Sequence, residues 1–211
     1  MSTAPRPAVA ADLPKRIDKE AINLLPQARW TGPVCLPESS DEAEQAIKRL
    51  HRETLLGFDT ETRPAFRRGQ SFLPSLVQLA APDEVVLFQL SRTGLPPGLL
   101  ALLADPAVLK VGVALRNDLA GLCELAPFTP GGFVDLAPMA RRKGLRNQGL
   151  RPLAALLLGV RISKSAQTSN WAAPELTPGQ IDYAATDAWI GREIYQALQA
   201  LPDPPRRRAR N

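Results

Sequence analysis

Two carboxylates stand at the end of an apolar run, where a charge is costly to bury. The run is LLGFDTE at residues 55 to 61, whose composition predicts an interior β-strand. Residues two apart in a strand project to the same face, so Asp59 and Glu61 lie together and Thr60 points to the other face. Their repulsion raises at least one pKa unless they share a cation, and a hard divalent ion is the natural partner. The alternative is a strand end where the acids meet water or Arg63.

A third carboxylate follows another predicted strand. In VLKVGVALRNDLAGL, the strand at residues 108 to 113 ends shortly before Asn117 and Asp118, where a helix is predicted to begin. Side chains at such strand-to-helix turns gather along one edge of an open α/β sheet, where ligands bind. Aspartate is also a favoured cap residue, so a purely structural role for Asp118 remains an alternative.

The fourth carboxylate lies on a long predicted helix in LTPGQIDYAATDAWIGREIY. Thr177 can cap this helix and Pro178 suits its first position. Tyr183 and Asp187 are four residues apart, so a phenol and a carboxylate project from one helix face. A half-buried tyrosine hydrogen-bonded to its neighbour would explain the pair without catalysis.

These residues are placed by an alternation of predicted strands and helices. Three strands come first, and the residues Pro82 and Asp83 join the second to the third as a tight hairpin. Helix and strand alternate afterwards, which implies an α/β fold with a mixed sheet of five to six strands, three antiparallel and then parallel ones, flanked by helices. This order is that of the ribonuclease H-like fold. Strands are predicted at 55 to 61, 75 to 81, 84 to 90, 108 to 113 and 133 to 136, and helices at 40 to 52, 97 to 104, from about 117, 136 to 143, 150 to 158 and 178 to 201.

The composition describes one medium-sized domain with tails. The chain has 211 residues, of which 45% are hydrophobic, and its net charge is +5. Four arginines lie in the last six residues, so the basicity belongs partly to a tail that could attract polyanions or simply aid solubility. We expect a flexible arm at residues 1 to 28, one domain at 29 to 200 and a basic tail at 201 to 211. Cys35 and Cys123 lack the spacing of a zinc site or a disulfide framework.

The sequence shows neither a signal peptide nor a membrane-spanning stretch. We therefore expect a soluble, cytoplasmic protein without a membrane partner, and its oligomeric state is left open.

Taken together, the motifs become recognisable. DTE, then Asn117 and Asp118, then YAATD resemble the three motifs of the DEDD superfamily of 3'-5' exonucleases, in the branch with tyrosine in the third motif. The phrases GFDTETRPAF, LVQLA, VGVALRNDL and KSAQTSNWA resemble the group that includes ribonuclease D and the Werner syndrome protein exonuclease domain. The resemblance extends over about residues 29 to 200.

The resemblance implies a site with two Mg²⁺ or Mn²⁺ ions bound by four acids. Asp59 would bridge both ions, Glu61 and Asp187 would complete the site of the attacking water, and Asp118 would hold the second ion. Tyr183 would orient the water. Two ions about 3.5 to 4 Å apart stabilise both the attacking and the leaving oxygen of a displacement at phosphorus.

The implied partner is a nucleic acid with a free 3' end. Lys164 and Trp171 lie in the loop before the last helix, where the ammonium could meet a phosphate and the indole could stack on a base. Trp171 could equally anchor the loop to the core. Arg67 and Arg68 could contact the strand backbone or be ordinary surface residues.

The sequence thus predicts a 3'-5' exonuclease that releases nucleoside 5'-monophosphates from single-stranded or recessed DNA ends. Ribonuclease D-like trimming of RNA 3' ends is the alternative, and the sequence continues for only 24 residues after Asp187, short for an accessory nucleic-acid domain. An alternative of another class is a catalytically silent nucleic-acid-binding module on the same fold.

Overall fold

A mixed β-sheet forms the centre of the protein. The computed structural model of the chain describes residues 13–65, 67 and 69–202. The strands are β1 (Val34–Cys35), β2 (Leu55–Thr62), β3 (Pro74–Ala80), β4 (Val85–Gln89), β5 (Leu109–Gly112) and β6 (Phe133–Asp135). Their order across the sheet is β1-β4-β3-β2-β5-β6.

The pairing confirms the predicted mixture of antiparallel and parallel strands. β2, β3 and β4 are antiparallel neighbours, whereas β5 and β6 add to β2 in parallel. The two-residue β1 pairs in parallel with β4 and was not predicted, because two residues are too short to show a periodicity. The parallel strands β2, β5 and β6 place their carboxyl ends at one edge of the sheet.

Helices cover both faces of the sheet. One apolar core contains residues of α6 (Leu136–Arg142), α7 (Leu150–Leu158) and α8 (Pro178–Ala200), and the other contains residues of α2 (Ser40–Leu50), α4 (Pro97–Ala104) and α5 (Arg116–Leu125). None of the described helices is long and apolar enough to cross a membrane. The helices are α1 (Lys19–Leu24), α2 (Ser40–Leu50), α3 (Leu90–Thr93), α4 (Pro97–Ala104), α5 (Arg116–Leu125), α6 (Leu136–Arg142), α7 (Leu150–Leu158) and α8 (Pro178–Ala200).

The start of α8 follows from its sequence. The Thr177 hydroxyl accepts from the Gln180 backbone N–H, the Gln180 side chain accepts from the Thr177 backbone, and Pro178 occupies the first turn. This capping box, together with a proline that has no N–H to satisfy, fixes where the helix begins. The register of Tyr183 and Asp187 on the helix is thereby fixed as well.

Helix α8 packs closely on β2 because residue 57 is a glycine. A Cβ atom at Gly57 would lie 1.9 Å from the carbonyl oxygen of Ala188, a distance no side chain could occupy. Gly57 is two residues before Asp59, and Ala188 is next to Asp187. The missing side chain therefore lets the strand and the helix approach where each carries an acid.

The N-terminal segment differs from the expectation of a flexible arm. Residues 13 to 28 are packed on the body, and they include α1, whose Ile22 is only 6% exposed. Their hydrogen-bond partners are residues near 146 and 161, a relation that local composition cannot reveal. Residues 1 to 12 of the predicted arm and 203 to 211 of the predicted tail lie outside the described residues.

Candidate active site

Three of the four predicted acids meet at the carboxyl end of β2. Asp59 and Glu61 project from β2 towards α8, and Asp187 projects from α8 towards the sheet. One carboxylate oxygen from each of the three residues lies within 4.8 Å of the others. Two elements far apart in sequence thus contribute to one oxygen cluster.

Burial and mutual repulsion make this cluster unfavourable when it is fully ionised. Burial, and then the charges of Asp187 and Asp118, raise the pKa of Asp59 well above its usual range. Burial and the neighbouring acids raise the pKa of Glu61 to about 9. Burial raises the pKa of Asp187 to about 7, although a hydrogen bond from Tyr183 offsets part of the rise. Near neutral pH the cluster as a whole therefore stays partly protonated unless a cation lies among its acids.

The cluster fits a hard divalent cation. All its donor atoms are carboxylate oxygens, which are the ligands that Mg²⁺ and Mn²⁺ prefer. The Oδ1 atom of Asp187 is buried and has no hydrogen-bond partner among the described residues. A buried carboxylate oxygen without a donor is costly, and a cation at this point would remove that cost.

Asp118 lies beside the cluster and outside the group of three. Its Oδ1 atom accepts a hydrogen bond from the hydroxyl of Thr60, the residue of β2 that faces α5. Burial raises the pKa of Asp118, and its own charge in turn raises the pKa values of Asp59 and Glu61. Asp118 is in the first turn of α5 and does not cap it, because the N-cap is Leu115.

The turn that leads to Asp118 is conformationally constrained. Ala114 has φ +61°, a left-handed conformation that costs a residue with a side chain about 1 to 2 kcal/mol. Its backbone N–H donates to Asp135 Oδ1 at 3.1 Å, and the same oxygen accepts from Ala137 N at the start of α6. Asp135 therefore joins the turn after β5 to the end of β6 and fixes where α5 begins.

Tyr183 lies against the cluster, and Trp171 lies behind Tyr183. Burial is the main reason that the pKa of Tyr183 is raised, so its phenol is protonated at any physiological pH. The ring centroids of Trp171 and Tyr183 are 5.9 Å apart. Trp171 is fully buried, so the prediction that its indole stacks on a base is corrected: it anchors the loop and supports Tyr183 from behind.

Asp59, Glu61 and Asp187 line a cleft of about 370 Å³. Lys164 is exposed and lines this cleft, and its contact with substrate stays a prediction. Arg67 is exposed and is not among the residues that line the cleft, and its contact with the strand backbone stays a prediction. Arg68 lies outside the described residues.

Three further polar residues of the site were missed by the sequence interpretation. Thr60 was assigned to the opposite face and given no role. Gln78 lies directly opposite Asp59 in the β2–β3 ladder, fully buried, and its amide has no hydrogen-bond partner among the described residues. Arg151, from the first turn of α7, lines the cleft. Only the glutamine in LVQLA gave a signal, since a lone amide in an apolar strand is unusual.

Comparison with known proteins assigns the family. A 3'-5' exonuclease family model matches residues 35–201. A ribonuclease D from Gluconacetobacter diazotrophicus is 36% identical over 82% of this chain and 44% of its own length. The mouse bifunctional 3'-5' exonuclease/ATP-dependent helicase WRN is 32% identical over 76% of this chain and 12% of its own length. The crystal structure of the Aedes aegypti Nibbler EXO domain superposes with a TM-score of 0.74 and 28% identity, covering 82% of this chain and 91% of that domain.

The chain spans less than half the length of the ribonuclease D relatives that it matches. The family model nevertheless covers the whole sheet apart from Val34, and it includes all four acids and Tyr183. The fold is the ribonuclease H-like fold of these exonucleases, as the sequence predicted. The chain belongs to the 3'-5' exonuclease family.

Proposed function

We propose that this chain removes nucleotides one at a time from the 3' end of a nucleic acid, with two divalent cations bound by the acid cluster. The observation that supports this most strongly is the meeting of Asp59, Glu61 and Asp187 within 4.8 Å, with a buried oxygen of Asp187 left without a donor. A purely structural role does not explain such a cluster, because burying each ionised carboxylate lowers the stability of the folded protein.

Each acid has a proposed role. Asp59, Glu61 and Asp187 would hold the cations, and Asp118 would complete the set from the side of α5. When bound, Mg²⁺ or Mn²⁺ polarises the phosphate and stabilises charge on the attacking and leaving oxygens. Water adds to phosphorus and the bond from phosphorus to the preceding 3' oxygen breaks. The products are a nucleoside 5'-monophosphate and a strand that ends in a new 3' hydroxyl.

Tyr183 would orient the attacking water. Its raised pKa keeps the phenol protonated, so it can donate a hydrogen bond but cannot remove a proton at neutral pH. The packing of Trp171 behind its ring limits the positions that the hydroxyl can reach. The tyrosine is thus an orienting group rather than a base.

RNA is the substrate that we propose. The ribonuclease D relatives match over more of this chain than the WRN relative does, and the one from Gluconacetobacter diazotrophicus is also more similar, at 36% against 32% identity. The sequence alone places DNA first, and the ribonuclease D relatives support placing RNA first instead. DNA becomes the competing outcome of the experiment below.

The test uses 5'-labelled RNA and DNA oligonucleotides of matched sequence, with Mg²⁺ or Mn²⁺, and Asp59→Ala as the matched inactive variant. We expect a ladder that shortens from the 3' end, faster on RNA, with 5'-monophosphates as products and no reaction in chelator. A 3'-phosphorylated oligonucleotide is the control for attack at the 3' end.

Each other result has a definite meaning. Equal rates for Asp59→Ala and the wild type would assign the activity to a contaminant. Faster degradation of DNA would overturn the choice of RNA alone. Binding without degradation would favour the catalytically silent module.

A further inference from the structure

The segment before the family match contributes a residue next to the cleft. Helix α1 ends 11 residues before the first matched residue, Cys35. Its Asn23 accepts a hydrogen bond through Oδ1 from Arg151 Nη2 at 2.6 Å. Arg151 belongs to α7 and lines the same cleft as the acid cluster. A part of the chain outside the matched domain therefore touches a cation that faces the substrate site.

Hydrogen bonds to residues before and after α7 hold α1 in position. Before α7, the Arg146 backbone N–H donates to Lys15 O at 2.8 Å, and the Ile17 N–H donates to Asn147 Oδ1 at 2.9 Å. After α7, the Arg161 N–H donates to Pro26 O at 2.9 Å, and its Nε donates to Leu25 O at 3.0 Å. These contacts keep Asn23 beside Arg151.

Arg151 has the chemistry of a phosphate-binding residue. Its guanidinium is a cation that carries several N–H donors in a fixed plane. Its Nε is buried without a partner, and no described carboxylate forms an ion pair with the guanidinium. Asn23 accepts from one N–H of Nη2, and no described residue balances the charge of the guanidinium. An acidic cleft that takes a polyanion needs such a cation.

We propose that Arg151 binds a backbone phosphate of the substrate strand and that Asn23, from α1, is the positioning residue for its guanidinium. This inference rests on the proposed function of the same cleft. It adds the N-terminal segment to the substrate-binding surface.

The experiment measures KM and kcat on a labelled RNA oligonucleotide with Mn²⁺, and equilibrium binding in chelator over a range of salt concentrations. The variants are Arg151→Ala, Arg151→Lys, Asn23→Ala and the double variant. The matched control is Arg52→Ala, which removes an exposed arginine just before β2, at the opposite end of that strand from the acids. Thermal melting checks that each variant is folded.

Arg151→Ala should raise KM and Kd about tenfold, leave kcat within about twofold, and reduce the salt dependence of binding by about one phosphate contact. The KM and Kd of Arg151→Lys should fall between those of the wild type and of Arg151→Ala, since lysine keeps the charge and lacks the planar guanidinium. Asn23→Ala should raise KM about threefold and have no further effect in the Arg151→Ala background, because it acts through that arginine.

The proposal is overturned if Arg151→Ala matches Arg52→Ala in KM, Kd and salt dependence, or if Asn23→Ala and Arg151→Ala act additively. Should Arg151→Ala fail to fold, Asn23→Ala and Arg151→Lys still decide the matter by the same measurements. A wild-type protein that neither binds nor degrades nucleic acid would instead overturn the proposed function itself.

Discussion

The acids on the two faces of β2 have different surroundings. On the α8 face, Asp59, Glu61 and Asp187 crowd together, and one Asp187 oxygen has no described hydrogen-bond partner. On the α5 face, Asp118 accepts a hydrogen bond from Thr60. On the α8 face, no described group of the protein balances the negative charge of the carboxylates. On the α5 face, a neighbouring hydroxyl donates a hydrogen bond to the carboxylate. The difference indicates that a bound cation would stabilise the protein mainly on the α8 side of β2.

The largest effect should come from neutralising an acid on the α8 face. Asp187→Asn should lower turnover at least about 100-fold, because it removes a proposed cation ligand. The same variant should melt at a higher temperature than wild type in chelator, since the amide can donate a hydrogen bond to the neighbouring carboxylates where the wild-type carboxylate repels them. Activity on the RNA oligonucleotide and melting in chelator are the two measurements.

Asp118→Asn is the matched variant on the α5 face. Its amide oxygen can still accept from Thr60, so its melting temperature in chelator should stay close to that of wild type. Equal stabilisation by Asp187→Asn and Asp118→Asn would show that the two faces do not differ in the way described.

The pH dependence of stability tests the same charge imbalance. Unfolded carboxyls ionise near pH 4, whereas the folded-state pKa values of Asp187 and Glu61 are about 7 and about 9. Between these limits the folded state binds more protons than the unfolded state, so the free energy of unfolding falls as the pH rises. In chelator, the melting temperature should drop by at least about 5 °C from pH 5 to pH 9.

Saturating Mg²⁺ should flatten this dependence, because a bound cation replaces the protons. The slope in chelator should also be smaller for Asp187→Asn. A metal-free protein whose melting temperature rises steadily from pH 5 to pH 9 would contradict the assignment of raised pKa values.

A smaller effect is expected on the α5 face. Thr60→Val keeps the shape of the side chain and removes the hydroxyl that donates to Asp118. It should cost about 1 kcal/mol of unfolding free energy and about tenfold in activity, as is typical when a group that orients a ligand is lost. Urea unfolding and the oligonucleotide assay measure the two effects, and Thr60→Ser is the control that keeps the hydroxyl. A loss as large as that of Asp187→Asn would give Thr60 a role beyond orienting Asp118.

Features with a local signal were predictable from the sequence. The apolar runs of β2, β3 and β4 and the cap of α8 are written in consecutive residues, so their positions were predicted to within one or two residues. The same is true of the shared face of Asp59 and Glu61, which follows from strand geometry alone.

Features that depend on remote contacts were not predictable. Whether Trp171 faces a base or the core depends on the packing of Tyr183, and the position of α1 depends on residues more than 100 positions away. The hydrogen bond from Thr60 to Asp118 joins residues 58 positions apart across the edge of the sheet. Residue types and spacing could suggest that the acids converge. They could not show which of the four acids bring their carboxylate oxygens together.

Gly57 allows the distance between Asp59 and Asp187 to be changed by a substitution that leaves both acids in place. A single methyl group at this position would push helix and strand apart at Ala188, and Asp187 would move with the helix. Ionic radius and ligand spacing are matched in oxygen-lined cation sites. If the acids bind cations as proposed, we therefore expect Gly57→Ala to change the preference between small and large divalent ions, although residue 57 has no side chain to offer as a ligand.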